Sequence, residues 1–237
     1  MEEDRICGAN AVTALFARRA DAAQRLFYTE AMRQVAGPFC ARLARARLPY
    51  RMMPADELTR AAGTPHHGGI CAVAAAREVP WLDAAAPPQH RFLLALDDVG
   101  NPHNLGAIAR SAAFFGVRAM LLHDTPGAAT LSDAAYRVAE GGLEYLALYR
   151  TTDLARAIRA LQPWYRSVAA TLARDGVPPR DIPLDRPTLL VLGHEEHGVS
   201  ADVLAACRRQ VRVAPRGAIQ SLNVAQAASV LLYALAR

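Results

Sequence analysis

The sequence predicts an α/β protein built on a parallel sheet, preceded by a smaller and more basic α/β module. Three observations lead there. Apolar runs alternate with helical periodicity from Phe92 to Leu235, an Ala- and Pro-rich break occupies residues 79–90, and the segment ahead of it is rich in Arg. The chain has 237 residues, enough for one large domain or two small ones. With 52% hydrophobic and 21% charged residues it has globular composition, which argues against wholesale disorder. We divide it into residues 1–78, a linker at 79–90, and a second domain at 91–237.

The front module opens with a short amphipathic helix from Asn10 to Arg19. A strand at Leu26–Tyr28 follows, then a helix through Cys40–Leu48, a helix starting at Asp56, and a strand at Ile70–Ala75. In the second domain the strands are Phe92–Leu96, Arg118–Leu122, Leu143–Leu148, Val168–Ala170, Thr188–Leu192 and Val211–Val213. Helices are expected at Leu105–Phe115, closed by Gly116, near Asp133–Glu140, at Asp153–Leu161 and at Leu222–Leu235. Such alternation implies a parallel sheet covered on both faces. Ligands in such sheets bind beyond the carboxyl ends of the strands. The loops after Leu96, Leu192 and Val213 are therefore the places to look.

Charge and cysteine usage narrow the partners. Net charge is +5, and all 27 positive side chains are Arg, a residue whose planar fork suits phosphate and base stacking. The front module carries 11 Arg against 8 acids and the remainder 16 against 14, so the front is the more basic per residue. Its densest cluster is Arg42, Arg45 and Arg47, with Arg51 beyond the break: a solvated helix face or a phosphate contact. Four scattered cysteines (Cys7, Cys40, Cys71, Cys207) have no metal-finger spacing, and a cytoplasmic chain with reduced thiols is expected. No stretch approaches the roughly 20 apolar residues of a bilayer span. The acidic start Met1-Glu-Glu-Asp-Arg5 has no secretory pattern, so no membrane association is expected.

The three loops carry the chemistry. The first, Asp97-Asp-Val-Gly-Asn101-Pro-His-Asn104-Leu-Gly106, leads into a helix bearing Arg110; Asn104 stands where an N-cap belongs, which puts Arg110 in the second turn. The second, Gly193-His-Glu195-Glu-His-Gly198, has glycines that allow close backbone approach to a ligand. His194 and His197 invite a zinc reading, but the spacing is not that of a metalloprotease helix and no third ligand is apparent. In the third, Val213-Ala-Pro-Arg-Gly-Ala-Ile-Gln-Ser221-Leu-Asn223-Val224, Ser221 and Asn223 can cap the last helix or face a ligand at its N-terminus.

In this order and at these separations the three loops resemble the signature motifs of the SpoU (TrmH) family of RNA ribose 2′-O-methyltransferases, of the SPOUT superfamily. The segments Gly8-Ala-Asn-Ala-Val and Thr64-Pro-His-His-Gly-Gly-Ile-Cys resemble that family's accessory RNA-binding module, which is like a small ribosomal protein. The resemblance implies a parallel-sheet SPOUT domain with a C-terminal trefoil knot, preceded by that α/β module, acting as a homodimer on tRNA or rRNA. It implies S-adenosylmethionine as methyl donor and no metal. Carried over by position, Thr171, Gly193, Val213 and Leu222 line the cofactor pocket, while Asn104, Arg110, Glu195, Ser221 and Asn223 form the reaction centre. The chain departs from the family at Val213-Ala214-Pro215, where Ile-Pro-Met is frequent, and at His194-Glu195-Glu196-His197, where Asn-Glu-Gly-Lys is frequent. The first change bears on the adenosine pocket, the second on substrate choice.

Within that resemblance Arg110 is expected to hold a phosphate and stabilise oxyanion charge, since a charged guanidinium has no acceptor atom with which to act as a base. Glu195 would orient Arg110 or the third loop, and Ser221 and Asn223 would fix the ribose or the loop. Two readings of other classes stand beside this one: a non-catalytic RNA-binding or ribosome-assembly protein on the same scaffold, and a metal hydrolase using His194 and His197.

Overall fold

The computed structural model describes residues 3–171 and 176–236. The chain packs as two compact units. The first comprises the residues up to Glu78 together with Leu131–Tyr145, and the second comprises Val79–Thr130 and Leu146 onward.

The first unit holds a four-stranded sheet in the order β1-β4-β2-β3, where β1 is Glu3–Cys7, β2 Ala23–Tyr28, β3 Tyr50–Met52 and β4 Ile70–Ala75. Pairings β1–β4 and β2–β4 are antiparallel, and β2–β3 is parallel. Helices α1 (Ala9–Arg18), α2 (Arg33–Arg45) and α3 (Ala55–Ala62) accompany the sheet. Strands β1 and β3 were not expected: β1 has three charged residues in a row, Glu3-Asp4-Arg5, before its two apolar ones, and the three residues of β3 are all exposed. α2 also begins well before Cys40, passing through Pro38.

Leu131–Tyr145 joins this unit through α5 (Asp133–Ala139) and a 3-10 turn at Gly142–Tyr145. A buried polar knot holds it there. The Arg19 guanidinium donates to Glu144 at 2.8 Å and Asp4 at 3.0 Å, and the Tyr136 hydroxyl donates to Asp4 at 2.9 Å. Gly141, at φ +90°, lies so close to α1 that a Cβ would meet the Ala14 Cβ at 2.7 Å. The strand expected at Leu143–Leu148 is therefore split. Its first residues form the 3-10 turn, and the strand β7 runs from Ala147 to Thr151.

The second unit is a six-stranded, wholly parallel sheet in the order β10-β8-β9-β5-β6-β7. Here β5 is Phe92–Asp97, β6 Ala119–His123, β8 Arg166–Ala170, β9 Thr188–Gly193 and β10 Arg209–Val211. The central strands β5 and β9 are buried at every position, so they read as unbroken apolar runs rather than alternating ones. Each fully buried Leu, such as Leu93, Leu94, Leu189 and Leu190, contributes about 1.5–3 kcal/mol. Helices α6 (Leu154–Leu161) and α7 (Ala201–Ala206) pack together, and Leu154, Ile158, Leu161, Val203 and Ala206 cover Leu93, Leu121 and Val191. Helices α4 (Pro102–Phe114) and α8 (Val224–Leu235) also pack on each other, joined by a Ser111–Ser229 hydroxyl pair at 2.8 Å.

The stretch read as a linker is partly anchored. Trp81 bridges to Arg150 of β7, its ring lies 4.1 Å beneath the Arg150 guanidinium, and Leu82 N–H donates to the Arg150 carbonyl at 2.8 Å. No helix among the described residues is long and apolar enough to cross a membrane.

Candidate active site

The first, second and third loops lie at the carboxyl ends of β5, β9 and β10, as a parallel sheet requires. The first is shaped by Asn101. Its Oδ1 accepts the His103 N–H at 2.9 Å, and Pro102 follows at the first helical position, so Asn101 rather than Asn104 is the N-cap of α4. The cap expected at Asn104 is displaced because Pro102 already fixes helical backbone two residues earlier. Asn104 falls in the first helical turn and Arg110 in the third, one turn later than expected.

The second loop closes on itself. His194 N–H donates to the Gly198 carbonyl and Gly198 N–H to the His194 carbonyl, each at 2.9 Å. A Cβ at Gly193 would stand 2.1 Å from the Gly198 carbonyl carbon, and Gly198 itself sits at φ +72°. The two glycines serve the loop's own closure. His194 and His197 stack at 4.9 Å, and the His194 Nδ1 accepts the Glu196 N–H at 3.0 Å. Among the described residues no group of three His, Cys, Asp or Glu is placed to hold a metal ion, so the zinc reading gains no third ligand.

This closed loop presents Glu195 to the first loop. Its carboxylate accepts the Asn104 side-chain amide at 2.6 Å and the backbone N–H groups of Gly100 and Asn101, each at 3.3 Å. The Asn104 Oδ1 accepts the Asn223 side-chain amide at 3.2 Å, and the Asn223 Oδ1 accepts the Ala225 N–H at 2.9 Å as N-cap of α8. Three loops are thus joined by one directed chain: carboxylate, amide, amide, helix N-terminus. The carboxylate can only accept, so it turns the Asn104 NH2 toward itself and leaves the Asn104 oxygen for Asn223. Partial burial opposes the Glu195 charge, but the bonds from Asn104, Gly100 and Asn101 outweigh it and hold the carboxyl below its ordinary range.

Asp97, which sequence reasoning passed over, braces the same loops from beneath. It is almost fully buried at the end of β5; its Oδ2 accepts the Ser200 N–H at 2.7 Å, and its Oδ1 lies 3.0 Å from the His123 Nδ1. Burial pushes its pKa up, yet the bonds from His123 and Ser200 prevail and hold it low; the same contact raises His123. An acid closing an otherwise apolar strand was the available signal.

A cavity of about 620 Å³ opens beside this chain, at the carboxyl ends of β8, β9 and β10. Thr171, Gly193, Val213 and Leu222 all line it, as do Glu195 and Ser221. Arg216, Gly217 and Gln220, quoted in the third loop without a role, line it too. Arg110 stands apart. It is exposed on α4, and among the described residues its side chain has no hydrogen bond or ion pair; Glu195 orients Asn104 and the first loop instead. In the first unit Arg42 pairs with Asp21 at 2.9 Å and Arg51 with Glu57 at 3.3 Å. Arg45 is exposed, and Arg47 occupies a left-handed turn at φ 56° after α2.

The sheet and its cavity define a parallel α/β protein with a ligand site at the carboxyl ends of its strands. The chain belongs to the SpoU rRNA methylase family, whose sequence model matches residues 91–233. A second model, for the substrate-binding module of RNA 2′-O ribose methyltransferases, matches residues 5–80. An uncharacterized tRNA/rRNA methyltransferase, YfiF of Escherichia coli O157:H7, is 32% identical over 98% of this chain, which spans 67% of that protein. An uncharacterized tRNA/rRNA methyltransferase of Haemophilus influenzae is also 32% identical over 98% of this chain, which spans 66% of its length. The 23S rRNA (guanosine-2′-O-)-methyltransferase RlmB of Acinetobacter baylyi is 33% identical over 77% of this chain and 75% of its own. Among solved structures, the SpoU methyltransferase AviRb of Streptomyces viridochromogenes, in complex with AdoMet, superposes with TM-score 0.77 at 23% identity, covering 99% of this chain and 89% of its own. This likeness establishes the fold.

Proposed function

We propose that the protein transfers a methyl group from S-adenosylmethionine to a ribose 2′-hydroxyl in tRNA or rRNA. The observation that carries this reading is the Glu195–Asn104–Asn223 chain at the edge of a cavity lined by Thr171, Gly193, Val213 and Leu222. The cavity fits the cofactor: its volume is in the range of small-molecule sites, and its lining of small and apolar residues with backbone polar groups suits an adenosine. AviRb was solved with AdoMet, and relatives named RlmB act on the guanosine 2′-oxygen of 23S rRNA.

When bound, the cofactor supplies an electrophilic methyl on a sulfonium. The chain's own residues supply positioning. Glu195, held anionic, fixes Asn104, and Asn104 fixes Asn223 at the start of α8. Ser221 faces the cavity from the third loop. Arg110, with its fork unengaged, would hold the phosphate beside the target ribose, and that phosphate would accept the 2′-hydroxyl proton while the guanidinium stabilises the negative charge developing on the 2′-oxygen.

The remaining expectations follow the same reading. From β9 the chain passes α7 to β10 at the sheet edge beyond β8, then returns to α8 against α4; this path supports a C-terminal trefoil knot. Phe114 is 82% and Tyr233 73% exposed on the paired helices α4 and α8, an apolar face suited to a second copy of the chain as a homodimer. The first unit, matched by the substrate-binding family, serves as the ribosomal-protein-like RNA module, with Arg42, Arg45 and Arg47 toward phosphates. The described cysteines are free, which accords with a cytoplasmic protein. Comparing 2′-O-methyl sites across total RNA with and without the gene tests the reading: loss of a site supports it, and an unchanged map overturns it in favour of a non-catalytic RNA-binding protein.

A further inference from the structure

The amino end of the parallel sheet, opposite the cavity described above, carries a second cleft. It has a volume of about 260 Å³ and is lined by His90, Arg91, Phe115, Arg118, Arg186 and Thr188, among others. Its positive side chains are placed by the topology. Arg91 directly precedes β5, Arg118 directly precedes β6, and Arg186 stands two residues before β9, while β9, β5 and β6 are consecutive neighbours in the sheet. The register sets Phe92 opposite Thr188 and Leu93 opposite Ala119, so the three arginines emerge side by side at one edge.

Among the described residues none of the three forms an ion pair, although the neighbouring Asp185 feels the charge of Arg186. Arg91 donates to the Leu184 carbonyl at 3.1 Å, and Arg186 to the carbonyls of Gln162 and Pro163 at 3.1 and 2.8 Å. All three bonds are to uncharged oxygens, which fix the guanidinium groups without cancelling their charge. The Arg118 side chain has no hydrogen bond or ion pair among the described residues. None of the residues lining the cleft is an acid. Three guanidinium groups at one cleft repel one another unless an anion joins them, and planar forks match phosphate oxygens in pairs.

We infer that this cleft binds a backbone phosphate of the RNA substrate, as a second anchor remote from the reaction centre. The inference rests on the RNA reading above. Six residues of β5 separate the two ends, about 20 Å at strand rise, so an RNA strand held here is gripped well away from the nucleotide being methylated. The cleft thus acts on affinity and register, not on the methyl-transfer step.

The test uses the whole protein, a single-stranded polyuridylate probe and a potassium chloride series. Arg118→Ala removes a side chain with no protein partner, and Arg91→Ala one that holds only a carbonyl. For the double variant the slope of log affinity against log salt becomes shallower by about 0.7, the value for one single-strand phosphate no longer neutralised. Arg91→Lys with Arg118→Lys restores most of that slope. Melting temperature is followed in parallel. A slope equal to that of the wild type overturns the site and leaves the RNA reading standing, and a fall in melting temperature with unchanged RNA affinity assigns the arginines to capping the nearby ends of α4 and α8. Binding of inorganic phosphate with no change in the RNA slope also overturns it. A wild-type protein that binds no RNA overturns the parent reading and this site together.

Discussion

The Glu195 carboxylate lies 2.6 Å from the side-chain amide of Asn104, ninety-one residues earlier in the chain. Through Asn104 it reaches Asn223, so a single charge fixes the orientation of two amides on two further loops. The function of Glu195 is therefore one of placement. Glu195→Gln can donate as well as accept, which allows Asn104 to flip and breaks the directed chain. Turnover falls by about a hundredfold, the penalty typical of small misplacement, while cofactor affinity is retained. Single-turnover methyl transfer beside calorimetric titration of S-adenosylmethionine separates the two effects.

Arg110 is exposed and unpaired among the described residues, so its removal disturbs no internal contact. Arg110→Ala lowers methyl transfer by about a hundred- to a thousandfold, as loss of a donor at a developing oxyanion does, and leaves cofactor binding intact. Full turnover in this variant refutes its role.

A Cβ at position 193 has no room, because the backbone of Gly198 and Val199 stands about 2.2 Å away. Gly193→Ala forces the second loop open, displacing both Glu195 and the cavity wall. Cofactor affinity and melting temperature both fall, and a calorimetric titration with a parallel thermal melt shows it.

The His123–Asp97 pair makes stability depend on pH with a definite sign. The pKa of His123 is raised, chiefly by its bond to Asp97, so its contribution is complete below the ordinary histidine value of about 6.5 and is lost as pH rises through the higher folded value. Asp97 is held low, so its contribution is present above about 3.9 and is lost as pH falls through its folded value. The two together favour weakly acidic conditions. His123→Ala flattens the alkaline decline in melting temperature; thermal melts between pH 5 and 9 check it.

Arg42 is shared with Asp21, whereas Arg45 is exposed on α2. Replacing Arg42, Arg45 and Arg47 by Ala weakens RNA binding and makes its salt dependence shallower, by about 0.7–0.9 for each phosphate released from its guanidinium. Filter binding across a salt series reads this directly, and an unchanged slope marks the cluster as solvated surface.

The sheet of the second unit was legible because strands buried on both faces leave unbroken apolar runs, as in Phe92–Leu96 and Thr188–Leu192. The loops that hold Asn104, Glu195 and Asn223 were legible from their unusual density of Asn, Gly and His. What escaped was decided by how each loop closes locally and by partners distant in sequence. Asn104 reads as a cap until Pro102 is seen to start the helix, and Asp97 has no visible role until Ser200 and His123 arrive, while Gly193 and Gly198 both line the cavity and also let the loop close on itself. Leu131–Tyr145 reads as continuous with the second domain, yet Asp4, Arg19 and Glu144 hold it in the first unit through contacts that span more than a hundred residues.

The most direct test is to incubate the protein with methyl-labelled S-adenosylmethionine and total bacterial RNA, digest the RNA to nucleosides, and identify the labelled product. The account predicts label on the ribose 2′-oxygen, recovered as 2′-O-methylnucleosides. Label on a base, or none in the presence of intact protein that binds the cofactor, contradicts it.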